Sequence, residues 1–577
     1  MDVPTPDAQT TPAGRVIGTE AARPLEFHVH VGPGQFLQLD DIVAVRRPVP
    51  GQSDIELYGV VTEVRGFHEG LEHHSDVERV MAGQMYGRAS EVATILTTRI
   101  EPEVFLPPIP GNEVHKVAGR QRDKAMFLDK IEPGRRLASG LHRAGGPVFV
   151  DADFVDGTSG AHVNISGVSG VATKTSYATF LLHALFHDGS TVLGPSGKHA
   201  RSLIFNVKGQ DLLYLDQPNA RLSVEQRARW AEVGLPAQPF GSVAFWSPPV
   251  KGAASPTPAS ARKDKVRAYW WSLADFCAEG MLSLLFADTD DERQQYTAVA
   301  RNVATALERF ATPLAQGGVQ IGVEQATTFA DLVRIIRDYA EDEDPQWVGR
   351  FATSGSIGAF MRRLDSAADH VAHLIRGDQD GWQRHRVRVM SSDEQVNVVD
   401  LTPLSGRAQR FVVGALLTQE FAAKEARGTR DPLLFVVLDE LNKYAPRQGN
   451  SPIKSTLVEI AERGRSLGMI LIGAQQTASA VDEAIITNAS IKVVGRMDPA
   501  EASKNEYRWM PESQRDRAML INPGTMILKQ PRVPAPLVVN FPMPAWATRA
   551  EEVAMDVAGA PGLAGGDPFD TDTFTRG

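Results

Sequence analysis

Chemistry first suggests itself at His162-Val-Asn-Ile-Ser-Gly167-Val-Ser-Gly170-Val-Ala-Thr173-Lys174-Thr175-Ser176. A strand-like run ends in small residues, and a helical run follows. Such a turn lets backbone N–H groups approach phosphate oxygens while the positive end of the helix faces the anion. In that arrangement Gly167, Ser169, Gly170, Val171, Ala172, Thr173 and Ser176 line the cradle. Lys174 reaches the outer phosphates, and the Thr175 hydroxyl binds Mg²⁺. The spacing departs from the usual GxxxxGK[ST] pattern. Thr173 stands where a glycine normally precedes the lysine, and Gly167 lies one residue too far upstream. A β-branched residue does not copy a glycine conformation freely, so the loop takes a modified path. A plain Gly/Ser turn capping a helix, with Lys174 on the surface, fits these residues equally well.

A second site-forming stretch is Leu433-Leu-Phe-Val-Val-Leu-Asp439-Glu440, apolar along its length and ending in two carboxylates. Strands buried in a parallel sheet are apolar throughout, and ligands of open α/β sheets sit beyond their carboxyl ends. Asp439 there suits the Mg²⁺ shell and Glu440 suits the attacking water. The bland alternative is an acidic pair capping Leu441–Ala445. Met469-Ile-Leu-Ile-Gly-Ala-Gln475-Gln476 is a third such strand, whose amides either sense a γ-phosphate or bond loop backbone. Arg463 and Arg465 precede it, and Arg496 follows later. Each is a candidate to stabilise transferred charge from a neighbouring subunit, or an ordinary solvated cation.

Elements to position these residues are legible around them. Short β-branched runs over 27–107 (FHVHV, DDIVAVRRPV, IELYGVVTEVRGF, SEVATILTTRI, EVFLPP) suggest a small barrel. From about 147, strand and helix patterns alternate, as in an α/β sheet. The Pro/Ala/Ser stretch KGAASPTPASARK marks a junction at 251–263. Beyond it, Leu273, Phe276, Cys277, Met281, Leu284 and Leu285 recur at helical spacing, as do Ile357, Phe360, Met361, Leu364, Val371, Leu374 and Ile375. Thr328 with Asp331 reads as a capping box. The α/β pattern resumes near 395. The expected organisation is therefore a mobile 1–25, a β-barrel at 26–108, an α/β core at 109–250 and 385–550 split by a helical insertion at 251–384, and a mobile 551–577.

Composition bounds the function. With 577 residues, the chain is long enough for about two to four folding units. Its 42% apolar and 23% charged residues are ordinary for a soluble globular protein. The start carries no apolar signal segment, and the longest apolar runs fall well short of the ~20 residues of a membrane span. Cys277 is the only cysteine, which excludes intrachain disulfides and fits a reducing cytoplasm. A net charge of −10 argues against a generic nucleic-acid coat but not against a local basic surface.

In this order, the stretches GVSGVATKTS, FVVLDELNKYAP, ERGRSLGMILIGAQQ, TNASIKVVGRM and PGTMILKQPRVPAPLVVNFP resemble the HerA-like ATPases of the HerA/FtsK group. The resemblance extends over most of the chain. It implies a RecA-like P-loop NTPase core, ATP and Mg²⁺ as cofactors, and a homo-hexameric ring that draws double-stranded DNA through its pore. It also implies a nuclease or other effector docked on the barrel, in DNA end processing or in defence against foreign DNA. By position, Lys174 and Thr175 would bind phosphate and Mg²⁺, Asp439 and Glu440 would serve metal and water, Gln475 or Gln476 would sense the γ-phosphate, and Arg463 or Arg465 would act in trans. Asn206 stands where such proteins often carry an acid, and Lys208 and Lys443 are candidate DNA contacts. A nucleotide-binding scaffold that assembles a partner enzyme is the competing expectation. No strand-splitting wedge of a helicase is evident.

Overall fold

A computed structural model of the chain describes residues 11–71, 73–168, 174–286 and 296–553. The chain divides into two units. One takes in the described residues up to Asp151 together with Val493–Phe541. The other takes in Ala152–Lys492 and the described residues from Pro542 onward.

The larger unit is built on seven parallel strands, in the order Val266–Ala268, Val243–Ser247, Val396–Asp400, Arg201–Asn206, Leu434–Leu438, Met469–Gln475 and Val163–Ser166. The five strands from Val396–Asp400 to Val163–Ser166 are buried at every position but one, the half-buried Arg201. This explains their near-continuous Val/Ile/Leu composition, since both faces of a parallel sheet are covered. The helices Lys174–Phe186, Gly406–Arg427 and Pro452–Leu467 flank the chain's passage between strands. Ser405 caps the second by accepting from the Ala408 N–H and Ser451 caps the third by accepting from the Lys454 N–H, while left-handed Gly428 and Gly468 end them.

Two glycines of ERGRSLGM have structural duties. A Cβ on Gly464 would stand 2.5 Å from the Met469 carbonyl oxygen, and one on Gly468, where φ is +69°, would overlap the Arg430 carbonyl. The helix therefore lies against the strand it feeds only because side chains are missing there.

The insertion is mostly helical, with helices Leu273–Ala278, Thr297–Phe310, Phe329–Glu341 and Ser354–Val371. Most of the residues picked out by helical spacing are buried, from Leu273 and Phe276 to Leu364 and Val371. Thr328 and Asp331 form the expected reciprocal cap. Periodicity did not reveal an antiparallel meander, Ala311–Pro313, Val319–Ile321 and Glu324–Ala326, whose three-residue strands are too short to carry a pattern.

The smaller unit holds a closed six-stranded antiparallel barrel. Its strands are Gly14–Val16, Glu26–Val31, Ile42–Arg47, Ile55–Glu69, Arg88–Glu101 and Glu113–Lys116. Closure uses strands on either side of 26–108, so the barrel begins inside the expected mobile segment. The proline-rich EVFLPP is not a strand, as prolines bring no ladder donors. Two long strands continue past the barrel as a ribbon pairing Gly66 with Glu91 through Glu69 with Arg88. The same unit contains the antiparallel set Thr525–Lys529, Leu537–Asn540, Arg136–Leu141 and Pro147–Asp151. Residues 109–151, expected in the core, group instead with the barrel. The α/β core with a parallel sheet, the helical insertion and the small N-terminal barrel expected from the sequence are all present. Among the described residues no helix is long and apolar enough to cross a membrane.

Candidate functional site

Strand register places the chemistry. Asn206 lies opposite Asp400, Phe205 opposite Leu438, Leu438 opposite Gly473, and Gln475 opposite Ser166. The carboxyl ends of five neighbouring parallel strands therefore present Asp400, Asn206, Asp439, Gln475 and Ser166 along one edge. In open α/β sheets this edge is where ligands bind.

Lys174 opens the helix Lys174–Phe186 and is buried, in contrast to the surface lysine of the bland reading. Its ammonium donates to the Gly167 carbonyl oxygen at 2.7 Å. Burial pulls its pKa down, Asp439 and Glu440 oppose the shift, and Lys208 adds to it. The neighbouring Thr175 hydroxyl donates to Asp439 Oδ2 at 3.2 Å, and Asp439 Oδ1 accepts from the Glu440 N–H at 2.8 Å. Two pairs far apart in sequence thus meet at one point. Ser176 follows in the first turn of the helix. Ser169, Gly170, Val171, Ala172 and Thr173 lie outside the described residues.

Glu440 has a left-handed backbone, φ +55° and ψ +43°. For a residue with a side chain this costs about 1–2 kcal/mol. Strain of this kind persists where the surroundings over-determine the conformation, often at functional sites. Its Oε1 is ion-paired with Lys208 Nζ at 2.5 Å. Lys443 donates to Gln409 Oε1 at 2.5 Å.

Gln475 is completely buried, and its amide donates to Asn164 Oδ1 at 3.0 Å and Ser166 Oγ at 2.8 Å. Gln476, the next residue, is exposed. The two amides therefore have different surroundings at the same strand end.

Arg463 and Arg465 are placed elsewhere. They sit near the end of Pro452–Leu467, just before the strand that finishes at Gln475. That seven-residue strand spans about 20 Å, so both lie at the opposite edge of the sheet from Lys174. Arg463 pairs with Glu425 at 2.7 Å and Glu459 at 3.3 Å. Arg465 donates to the carbonyls of Gly157 at 3.1 Å and Thr158 at 2.8 Å. Arg496 is exposed.

Thr175 and Asp439 offer a hydroxyl and a carboxylate, hard oxygen donors that suit Mg²⁺. Among the described residues no group of three or more His, Cys, Asp or Glu is placed to hold a metal. A cation here would fill its shell from phosphate oxygens and water, as Mg²⁺ prefers. Lys174 and the helix start suit an anion, and Glu440 suits a water to be activated.

Sequence reasoning missed Asn164, Ser166 and Asp400 as parts of the site, and took Lys208 for a candidate DNA contact, not a partner of Glu440. Polar residues inside an otherwise apolar buried strand were the available signal for Asn164 and Ser166, because each must find a partner there. Nothing local marks Lys208 as that partner.

No family model matches the chain, and no curated protein matches it. Solved structures do. VirB4 of Thermoanaerobacter pseudethanolicus matches at 15% identity over 71% of this chain and 97% of its own, with a TM-score of 0.44. The plasmid coupling protein TrwB, in complex with a non-hydrolysable ATP analogue, matches at 13% identity over 76% of this chain and 96% of its own, with a TM-score of 0.47. The genome packaging NTPase B204 from Sulfolobus turreted icosahedral virus 2, in complex with AMPPCP, matches at 14% identity over 26% of this chain and 69% of its own, with a TM-score of 0.20.

Proposed function

We propose that this chain is an ATPase of the HerA/FtsK type that moves double-stranded DNA. The observation that carries the reading is the meeting of Lys174–Thr175 with Asp439–Glu440, through the Thr175–Asp439 hydrogen bond of 3.2 Å. Lys174 would hold the outer phosphates of ATP, with the loop 167–173 around them. Thr175 and Asp439 would hold Mg²⁺, which neutralises charge building on the transferred phosphoryl group. Glu440 would orient and polarise the attacking water. Gln475, fixed by Asn164 and Ser166, would brace the wall of the site, and Gln476 beside it would sense the γ-phosphate.

Arg463 and Arg465 lie about a strand's length from their own Lys174. A catalytic role for either therefore requires a neighbouring subunit, which suits a homo-hexameric ring with DNA in its pore. A nuclease or other effector on the barrel, and work in DNA end processing or defence in the cytoplasm, complete the proposal.

The test is ATP hydrolysis by the full chain with and without duplex DNA over a salt series. Phosphate contacts release counterions, so stimulation by DNA should fall steeply with salt. Equal rates with and without DNA would sink the translocase reading. The scaffold alternative expects Glu440→Gln to leave partner activity intact while Lys174→Ala breaks assembly. Loss of partner activity in both variants counts against it.

A further inference from the structure

The Lys208–Glu440 ion pair has no place in the proposed catalytic cycle as it stands. Glu440 must offer its carboxylate to water, yet one of its oxygens is held by an ammonium at 2.5 Å. Lys208 is about half exposed, at 47%, against 26% for Glu440, so an anion from solvent reaches the lysine more easily than the glutamate.

The backbone under Lys208 is fixed. Asn206, closing the strand Arg201–Asn206, donates to the Gly209 carbonyl at 3.1 Å and to Asp400 Oδ1 at 3.2 Å. Asp400 Oδ1 also accepts from the Thr402 hydroxyl at 2.7 Å and from the Thr402 N–H at 3.1 Å. Gly209, with φ +56°, allows the tight turn. Lys208 therefore swings by its side-chain rotamers, while the turn stays pinned to the sheet. Lys443 and Arg410 lie in the same neighbourhood, beside Glu440, so cations other than Lys208 are also at hand for the phosphates of a polynucleotide.

We propose that Lys208 is a positioning residue that holds Glu440 out of action until a phosphodiester oxygen of a polynucleotide takes its ammonium. The inference rests on the ATPase reading above. It gives the enzyme a direct link between DNA contact and hydrolysis: the same lysine cannot pair fully with both anions. Asn206 has a part in it as well, since an amide can donate to both Gly209 and Asp400, and a carboxylate there could not.

The test is steady-state ATP hydrolysis by the full-length wild type, Lys208→Ala, Lys208→Arg and Glu440→Gln, each with and without duplex DNA. A latch predicts that Lys208→Ala raises the DNA-free rate about two- to five-fold, the reach of a partly exposed ion pair, and shrinks stimulation by DNA. Lys208→Arg should retain the low DNA-free rate and the stimulation, and Glu440→Gln should be inactive throughout. The ATP-only arm separates the two sources of phosphate. If ATP itself took the ammonium, Lys208→Ala would not exceed wild type without DNA, and the proposal would fall. A Lys208→Ala enzyme with a lowered DNA-free rate and a wild-type stimulation ratio also overturns it. A wild type that hydrolyses ATP without any stimulation defeats the DNA reading separately, and absence of hydrolysis in every variant defeats both.

Discussion

Asn206 and Asp400, side by side on adjacent parallel strands, share a hydrogen bond of 3.2 Å in which the amide donates and the carboxylate accepts. Asp400 is buried, and burial raises its pKa. An acid in place of Asn206 would remove the donor and set two carboxylates together. Asn206→Asp should therefore lower stability by about 1–3 kcal/mol at pH 8. The deficit should shrink on acidification, as protonation of either carboxyl restores a donor. Urea unfolding at pH 8 and pH 5 checks this, and an equal deficit at both would refute it.

If Lys174 holds the outer phosphates as proposed, Lys174→Ala removes a charge-assisted contact worth about 1.5–3 kcal/mol. It should weaken ATP binding roughly 10- to 100-fold, read by calorimetry. Glu440→Gln should instead keep ATP binding and lose hydrolysis by about 10²–10⁴, the range for a positioned acid–base group. A Glu440→Gln protein that hydrolyses ATP normally would remove Glu440 from the mechanism.

Glu420, buried in the helix Gly406–Arg427, accepts from the Val389 N–H at 2.8 Å. Burial pushes its carboxyl up to about 7, against backbone N–H groups and nearby arginines. Because this folded value lies above the unfolded one, its contribution is complete below about pH 4.5 and is lost as pH rises through 7. The cost above neutrality is about 3 kcal/mol. Glu420→Gln should accordingly be more stable than wild type at pH 8, with the advantage gone near pH 4.5. Denaturant midpoints across that range decide it, and a pH-independent difference would contradict the assignment.

His183 shows the opposite sign. Its ring stacks on Trp546, with centroids 5.2 Å apart, and burial pulls its pKa down to about 4. Its stabilising share is present above about 6.5 and lost as pH falls towards 4. His183→Phe should flatten the loss of thermal stability between pH 6.5 and 4. An unaltered acid limb of the Tm curve would argue against it.

Gly464→Ala and Gly468→Ala test why the ERGRSLGM stretch reads as it does. The second demands both a forbidden overlap with Arg430 and a positive φ, so it should cost more than the first. Each should lose about 1–3 kcal/mol, by the measure of overpacked sites. Calorimetric melting that shows neither change would mean the helix can step back from its strand.

The parallel core was legible because its strands are buried on both faces and so are apolar end to end, as at Leu434–Leu438 and Met469–Gln475. The meeting of Thr175 with Asp439 was also legible, since each ends or follows such a strand. The barrel's closing strands were not: Gly14–Val16 is three residues long, too short for an alternating pattern to register. Lys208 was read only as one of two ordinary surface lysines or DNA contacts, because its significance lies in a partner 232 positions away. The duties of Gly464 and Gly468 depend on the carbonyls of Met469 and Arg430, which spacing alone does not reveal.

The six-stranded barrel closes on itself, with Gly14–Val16 pairing to Glu113–Lys116. Within that ring every strand already has two neighbours, so an incoming chain finds open ladder only on the ribbon that runs past the barrel. A protein that grips the barrel wall must recognise side chains and loop tips in place of backbone. Its choice of companion can then be retuned one substitution at a time, leaving the hydrogen-bonded ring untouched.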